Sequence, residues 1–577
     1  KELGLTLTAR DKERKIPMAG VPVKAADGYL QRLLARGHKV AICEQMSDPK
    51  TTKGLLERAV VRVLTPGTLT EDESLDPSES NFLLAIRPAP AKGRKRRVGL
   101  AWVDLSTGRF LVAEPEPAAL LDELARIHPA EVLLPENELG MALGAQIAAQ
   151  QRTLLTYVPP WSAEADAGAR ALKEHFKVAS LKGFGMDRMP AAQGAAGAVL
   201  EYLRDTQLTS LGHVTRIERH DPAGALVLGE TTRRRLDLVQ RSDGSRDMTL
   251  VSVLDRTRTA MGGRMLRDWI LAPLTDRTAI ERRLDGVEEL VKDGFLRRDL
   301  RDVLSGVRDV ERILARVATN RANARDLVSL GQSLEALPPL KGLMADVYGT
   351  TLAELRDRIE CFEDLGALLA RALVDDPPAS VTDGGIIRAD YSADLDELRD
   401  LSRNAKDWIA NYQAREAERT GISSLKVGFN RVFGYYLEVT HAHKDKVPED
   451  YNRKQTLTNA ERYVTPELDE YEKKVLRADE KARELEYRLF GALREKTAEH
   501  IPELQACAAV LAEIDVLASL AEIAAAQDYV RPELLDDRTL ELRDARHPVV
   551  EAALVDGDRF VPNDTDLDCD RRIALIT

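Results

Sequence analysis

The chain has 577 residues, a formal net charge of −12, 44% hydrophobic and 31% charged residues, and only 5% aromatics. That length exceeds one hydrophobic core and divides into roughly three to five domains, and the charged, aromatic-poor mixture suits a helix-rich soluble protein rather than a disordered one. No apolar run nears the roughly 18 to 20 residues of a bilayer span, and Lys1 to Arg10 carry no signal-peptide pattern, so neither a membrane nor a secreted protein is expected and the cytosol is.

In chain order, the first stretch alternates short elements. Leu3 to Thr8 and Ile16 to Pro22 are short apolar runs, Ala25 to Arg36 has helical spacing, and Lys39 to Glu44 reads as a strand. Arg58 to Thr68 is rich in β-branched residues and ends on Pro66-Gly67, which makes it a strand closed by a turn. These elements predict a small α/β domain over residues 1–85. The run from Lys92 to Arg97 is basic; it could touch a phosphate backbone, but a solvated loop between domains is the preferred reading. Val98 to Asp104 and Arg109 to Ala113, separated by Leu105-Ser-Thr-Gly108, predict a β-hairpin that opens a second α/β domain over 86–220.

Beyond residue 221 helical periodicity takes over, and Thr249 to Ala272, Asp276 to Lys292 and Val307 to Leu337 predict a helical core. Leu395, Leu398, Leu401, Ala405, Trp408, Ile409 and Tyr412 recur every three or four residues and form one helical stripe. Leu468, Tyr471, Val475, Ala478, Ala482, Leu485, Leu489 and Leu493 repeat that spacing after Pro466. Two such helices on either side of an insert can form an antiparallel arm; about 30 residues reach on the order of 45 Å. The insert, Lys426 to Thr440, shifts the period from near four to near two and is rich in Val, Phe and Tyr, so a β element is predicted at the end of the arm. The tail, Leu540 to Leu542, Arg546 to Glu551, Arg559 to Pro562 and Arg571 to Thr577, ends in what reads as a lone apolar strand of a divided domain.

The chemistry is sparse. Nine histidines are scattered without a partnering acid or cysteine, and His547 reads as structural; no catalytic residue and no metal site is assigned. Cys43, Cys361, Cys507 and Cys569 lack paired spacing, and all four are expected to be reduced and mostly buried. No Gly-x-x-x-x-Gly-Lys-Ser/Thr run is present, so no ATP hydrolysis is expected of the chain as given. An acidic protein that binds nucleic acid must concentrate its cations locally. Asn452 to Tyr463 does so, placing Arg453, Lys454 and Arg462 among amides and hydroxyls at the predicted tip, the donor set that holds phosphate oxygens. A solvated tip is the competing reading. Arg10, Lys12, Arg14 and Lys15, interleaved with acids, form a second, weaker patch.

Several runs in order carry a resemblance. Ile16-Pro-Met-Ala-Gly-Val-Pro22, Val40-Ala-Ile-Cys-Glu-Gln45, Glu57-Arg-Ala-Val-Val-Arg-Val-Leu-Thr-Pro-Gly-Thr68, Leu425-Lys-Val-Gly-Phe-Asn430, Gly434-Tyr-Tyr436, Asn459-Ala-Glu-Arg-Tyr463 and Arg546-His-Pro-Val549 resemble the MutS family of DNA mismatch-recognition proteins. The resemblance implies a multidomain α+β and α/β protein. Its expected parts are a mismatch-reading domain (1–85), a connector (86–220), a helical core with the first lever (221–420), a β clamp (421–467), the second lever and core (468–527), and the start of a P-loop ATPase domain (528–577).

It also implies recognition and kinking of duplex DNA at mispaired or unpaired bases. Mismatched DNA, the protein MutL and a second copy in a homodimer are the implied partners, with no membrane, in the bacterial cytoplasm at the nucleoid. Candidate DNA contacts are Arg10, Lys12, Met18, Lys426, Arg453, Lys454, Asn459, Arg462 and Tyr463. Phe560 and Val561 match the family segment against the adenine ring; ATP and Mg2+ are implied for the whole protein, a DNA-dependent ATPase, and neither for this chain. The family's Phe-x-Glu reading motif is absent from the sequence, the phosphate loop would follow Ile573 to Thr577, and Thr458 stands where relatives often carry lysine. A MutS-like binder of branched DNA and a coiled-coil scaffold that never touches DNA are the alternatives.

Overall fold

A computed structural model describes residues 2–9, 17–22, 25–47, 56–88, 97–150, 153–209, 211–221, 224–403, 405–430, 434–554 and 559–573. The chain forms two compact units, Lys1–Arg321 with Gln332–Phe362 and Ala498–Thr577, and Ala322–Gly331 with Glu363–Thr497.

In the first unit, helix Ala26–Leu34 precedes the antiparallel strands Val40–Gln45 and Arg58–Leu64. A six-stranded mixed sheet follows, in the order Glu218–Arg219, Arg109–Ala113, Gly99–Asp104, Phe82–Arg87, Glu131–Pro135, Leu154–Val158. Strand alternation divides its side chains cleanly between faces. Leu83, Ala85, Ala101 and Val103 pack with helices Ala165–His175 and Pro190–Gln207, while Leu84, Ile86, Leu100 and Trp102 pack with Leu120–Ile127 and Glu138–Gln150. The hairpin Gly99–Asp104 with Arg109–Ala113 is antiparallel. Strand Phe82–Arg87 sits inside this sheet, so residues 82–85, grouped by sequence with the elements before them, pair with the elements after them.

Beyond residue 224 this unit is mostly helical around Ile501–Ala526, a helix buried on nearly all sides and packed against Ala260–Leu271, Arg277–Lys292, Gly294–Leu304 and Val310–Ala318. Its fully buried Asp515 accepts bonds from the Arg258 and Thr259 amides and the Thr259 hydroxyl, which fastens the start of Ala260–Leu271 to the central helix. His547 is structural, its Nδ1 accepting from the Val550 amide at the head of Pro548–Ala552. No helix of the described residues is long and apolar enough to cross a membrane.

The apolar part of the expected final strand, residues 574–577, lies outside the described residues, and Arg571 to Ile573 are not in a strand. Within the described tail, Leu540–Ala545 pairs antiparallel with Asn563–Leu567. The expectation of mostly buried cysteines needs correction. The cysteines are free, but only Cys507 is buried: Cys43 and Cys569 are exposed and Cys361 is intermediate. Cys43 lies on a two-stranded ribbon whose burial is too shallow to hide alternate residues.

In the second unit, helix Pro466–Ala498 runs 33 residues, about 50 Å. Its predicted stripe is at least half-buried at every position, with Leu468, Ala478, Ala482 and Leu493 fully so. The facing stripe lies on Ala393–Arg403 and Ala405–Thr420, with residue 404 outside the described residues; Leu395 and Tyr412 are buried, but Leu401 is exposed. The contacts Arg415 to Glu467, Trp408 to Tyr471 and Arg399 to Glu486 run in opposite senses along the two strands of helix, so they are antiparallel. Glu486, buried inside this pairing, accepts from Arg399 at 2.9 Å and from the Ile386 amide at 2.8 Å.

Candidate nucleic-acid interface

The period-two insert forms a four-stranded antiparallel sheet in the order Lys426–Asn430, Gly434–Thr440, Ala460–Val464, Asn452–Thr456. One face is apolar: Leu437, Val439 and Tyr463 join Tyr412, Ile422, Leu425, Tyr451 and Leu468 in a single core. That core ties the sheet to both helices. Trp408 stacks nearly parallel between Tyr412 at 4.9 Å and Tyr471 at 3.5 Å, the Tyr451 hydroxyl donates to Glu416 at 2.9 Å, and Arg419 pairs with Glu416 and Asp450. A sheet held this firmly presents its edges in fixed positions.

The opposite face carries a cross-strand row, Lys426, Glu438, Arg462 and Gln455. Arg462 is committed within that row. Its Nε lies 3.2 Å from Glu438, a terminal nitrogen donates to Gln455 at 2.9 Å, and the guanidinium sits 4.2 Å from the centre of the Tyr436 ring. It therefore does not stand as the open phosphate donor expected from the sequence. Tyr463 is also reassigned. It is 5% exposed, and its hydroxyl donates to Glu461. Burial and the adjoining Glu461 carboxylate push the Tyr463 hydroxyl up to about 12. The Tyr463 bond, followed by Lys444 at 3.2 Å and Arg453 at 3.5 Å, holds the Glu461 carboxyl below its ordinary value.

Of the cations expected from the sequence to touch DNA in this insert, three remain outward. Lys426 is exposed on one edge strand, and Arg453 and Lys454 are exposed on the other. The register slips between Arg453 and Gln455, so Lys454 is the extra residue of a bulge, which turns its side chain out of the regular alternation. Among the described residues Lys454 makes no ion pair. Arg453 keeps more than half its side chain in solvent beyond Glu461. Asn459 is exposed in the turn that joins the last two strands. Edge lysines also deter strand addition, but that role does not require two adjacent cations at a bulge.

Of the remaining candidates, Arg10 and Lys12 lie outside the described residues, as do Arg14 and Lys15. Met18 is 47% exposed in the two-residue strand Pro17–Met18, paired with Thr8–Ala9. Phe560 is half-buried and Val561 is 76% exposed, both in the first unit. No group of three His, Cys, Asp or Glu residues among the described residues could hold a metal. Sequence reasoning missed Glu461, Lys444 and Glu416. Glu461 had a signal, a charge at an inward position two residues before Tyr463; Lys444 and Glu416 had none without the register.

Gly434 is the tightest point of the support. Its φ of +78° suits glycine, and a Cβ there would meet the Glu472 carboxylate at 2.0 Å, the group that accepts from the Tyr435 amide. Gly434→Ala is expected to cost about 1–2 kcal/mol from the backbone alone, read as a lower urea midpoint. An unchanged midpoint would mean that the backbone at Gly434 leaves the left-handed region without cost.

Family models match the chain in three stretches: MutS domain I over residues 1–73, MutS domain II over residues 81–215 and MutS domain III over residues 231–521. The chain is 43% identical over 597 residues to the DNA mismatch repair protein MutS of Methanosarcina barkeri, covering 100% of the chain and 66% of that relative. It is 45% identical over 589 residues to that of Symbiobacterium thermophilum, with 100% and 66% covered. Against that of Salinibacter ruber it is 44% identical over 578 residues, with 100% and 63% covered. The chain thus spans about two thirds of the length of these curated relatives.

Proposed function

The chain belongs to the MutS family, and from that premise we propose that it serves DNA mismatch recognition, gripping duplex DNA through the edge cations of its β insert. The observation that carries this reading is the outward placement of Lys426, Arg453 and Lys454 on the two edges of a sheet locked to paired helices. Cations so placed bind phosphate oxygens and fix position without reading sequence.

Selectivity then arises from the DNA. A mispaired or unpaired base stacks poorly, so kinking the duplex there costs less than elsewhere, and added contacts with the bent duplex offset the remaining cost. Residues 1–85, including Met18, serve as the reading domain; 86–220 as connector; 221–420 and 468–527 as core and levers; and 421–467 as clamp. Residues 528–577 open the ATPase domain. In the whole protein ATP with Mg2+ supplies phosphoryl chemistry that controls clamp release. Phe560 and Val561 fit the adenine-facing part of such a site, an apolar surface open to solvent, and no contact to the phosphates of ATP or to Mg2+ is assigned among the described residues of 528–577. A second copy of the chain and MutL are the proposed protein partners, at the nucleoid.

The test is an anisotropy competition in which a labelled duplex with one unpaired thymine is displaced by unlabelled matched duplex, unpaired-thymine duplex or four-way junction. The unpaired-thymine duplex should compete best. A stronger junction would favour a reader of branched DNA, and no binding at low salt would favour a protein scaffold.

A further inference from the structure

Within the first unit, a cavity of about 510 Å³ opens between the start of strand Phe82–Arg87, the end of helix Leu120–Ile127, and the helices Glu230–Arg235 and Ala260–Leu271. Seven arginines line it against three carboxylates, an imbalance in a space sized like a small-ligand site, about 300–1,000 Å³. Most of the arginines are neutralised. Arg264 is held by Asp309 and Glu311, Arg126 by Glu123, Arg234 by Glu230, and Arg246 and Arg267 share Glu79.

Two are not. Arg233 is 8% exposed, and among the described residues it has no carboxylate at ion-pair distance. One terminal nitrogen donates to the Asp122 carbonyl at 3.0 Å, and its Nε has no partner. Arg241 is exposed at the rim, also without an ion pair among the described residues. Burial, then the nearby Arg126 charge, pulls the Arg233 guanidinium below its ordinary value, while Glu123, Asp122 and Glu230, none of them at ion-pair distance, offset part of that. Phe82, Ile127 and Leu271 supply an apolar wall beside these cations.

We propose that this cavity binds a small molecule carrying adjacent phosphate groups, held by the Arg233 and Arg241 guanidinium groups. Guanidinium presents paired donors matched to phosphate oxygens, and the buried Arg233 Nε is left without a protein partner. A purely structural Arg233, tying helix Glu230–Arg235 to the Asp122 carbonyl, would leave both the idle Nε and the charge surplus without purpose.

The test is calorimetric titration of the whole chain with inorganic pyrophosphate. One saturable site is expected, with Arg233→Gln and Arg241→Ala each weakening it about tenfold or more. Should Arg233→Gln fail to fold, the exposed Arg241→Ala decides. Lys292→Ala, an exposed cation outside the cavity lining, should leave the affinity unchanged. A parallel titration with ADP separates sources: tighter binding than pyrophosphate that Arg241→Ala weakens identifies a nucleotide ligand, equal or weaker binding an inorganic one, and either upholds the site. No saturable binding at millimolar pyrophosphate, affinity within twofold in the Arg241→Ala protein, or loss of binding in Lys292→Ala would overturn the proposal.

Discussion

Replacing Lys426, Arg453 and Lys454 together with alanine is expected to lower affinity for duplex DNA by roughly two orders of magnitude, for matched and mismatched duplex alike. Each phosphate contact releases condensed counterions, so removing three should flatten the slope of log affinity against log salt by about 2.7, three times roughly 0.9. All three side chains are exposed; surface substitutions such as those at Lys426 and Lys454 each shift stability by only about 0.5 kcal/mol, and Glu461 keeps Lys444 and the Tyr463 hydroxyl when Arg453 is removed. A retained melting temperature would therefore assign the loss to binding. Arg462 is left out for a physical reason. Removing it would free Glu438 and Gln455 and uncover Tyr436, so that variant would confound charge with sheet distortion. An unchanged salt slope in the triple variant would detach the insert from DNA binding.

The second large effect is on stability. Asp309→Ala is expected to destabilise the first unit by about 3–5 kcal/mol, the usual cost of orphaning a buried charge. Arg264 is 4% exposed and spans both Asp309 oxygens at 2.8 Å each, Glu311 at 2.6 Å and the Pro77 carbonyl at 2.8 Å. Asp309 also accepts from the Arg312 amide at 3.3 Å, capping helix Val310–Ala318, a contribution of about 1 kcal/mol. Burial raises the Glu311 carboxyl, whereas for Asp309 burial is outweighed by Arg264, which holds it low. Asp309 is thus the charge that Arg264 relies on. Urea unfolding of Asp309→Ala and Asp309→Asn measures this, with Asn expected between wild type and Ala. A loss under about 1 kcal/mol would mean that Glu311 alone satisfies Arg264.

The parts of this architecture that announce themselves in sequence are those set by local period. The stripe from Leu468 to Leu493 and the alternation from Lys426 to Thr440 each record one neighbour repeated; the stripe describes the observed burial, and the alternation does so at Leu437 and Val439 but not at Phe429, which is 56% exposed. What was illegible depends on register. Glu438 meets Arg462 across 24 residues, and the bulge that turns out Lys454 appears only once Arg453 pairs with Tyr463 and Gln455 with Arg462. Composition therefore marked the tip as cationic without telling its open cations from its pinned one. Tyr463 shows the same limit: its motif was legible, but its hydroxyl is spent on Glu461 inside the sheet's support. The arginines of the cavity were invisible for a related cause, since they are scattered from Arg126 to Arg267 and converge only when the sheet meets the helical core.

Amide hydrogen exchange across the insert, with and without bound duplex, probes the central claim most directly. Asn452–Thr456 is an edge strand paired on one side only, so its outward amides exchange readily in the free protein. Bound duplex should slow exchange across residues 452–459 while leaving the buried helix Ile501–Ala526 unchanged. Exchange at 452–459 that stays the same under saturating duplex would contradict the assignment of this sheet as the DNA-gripping element.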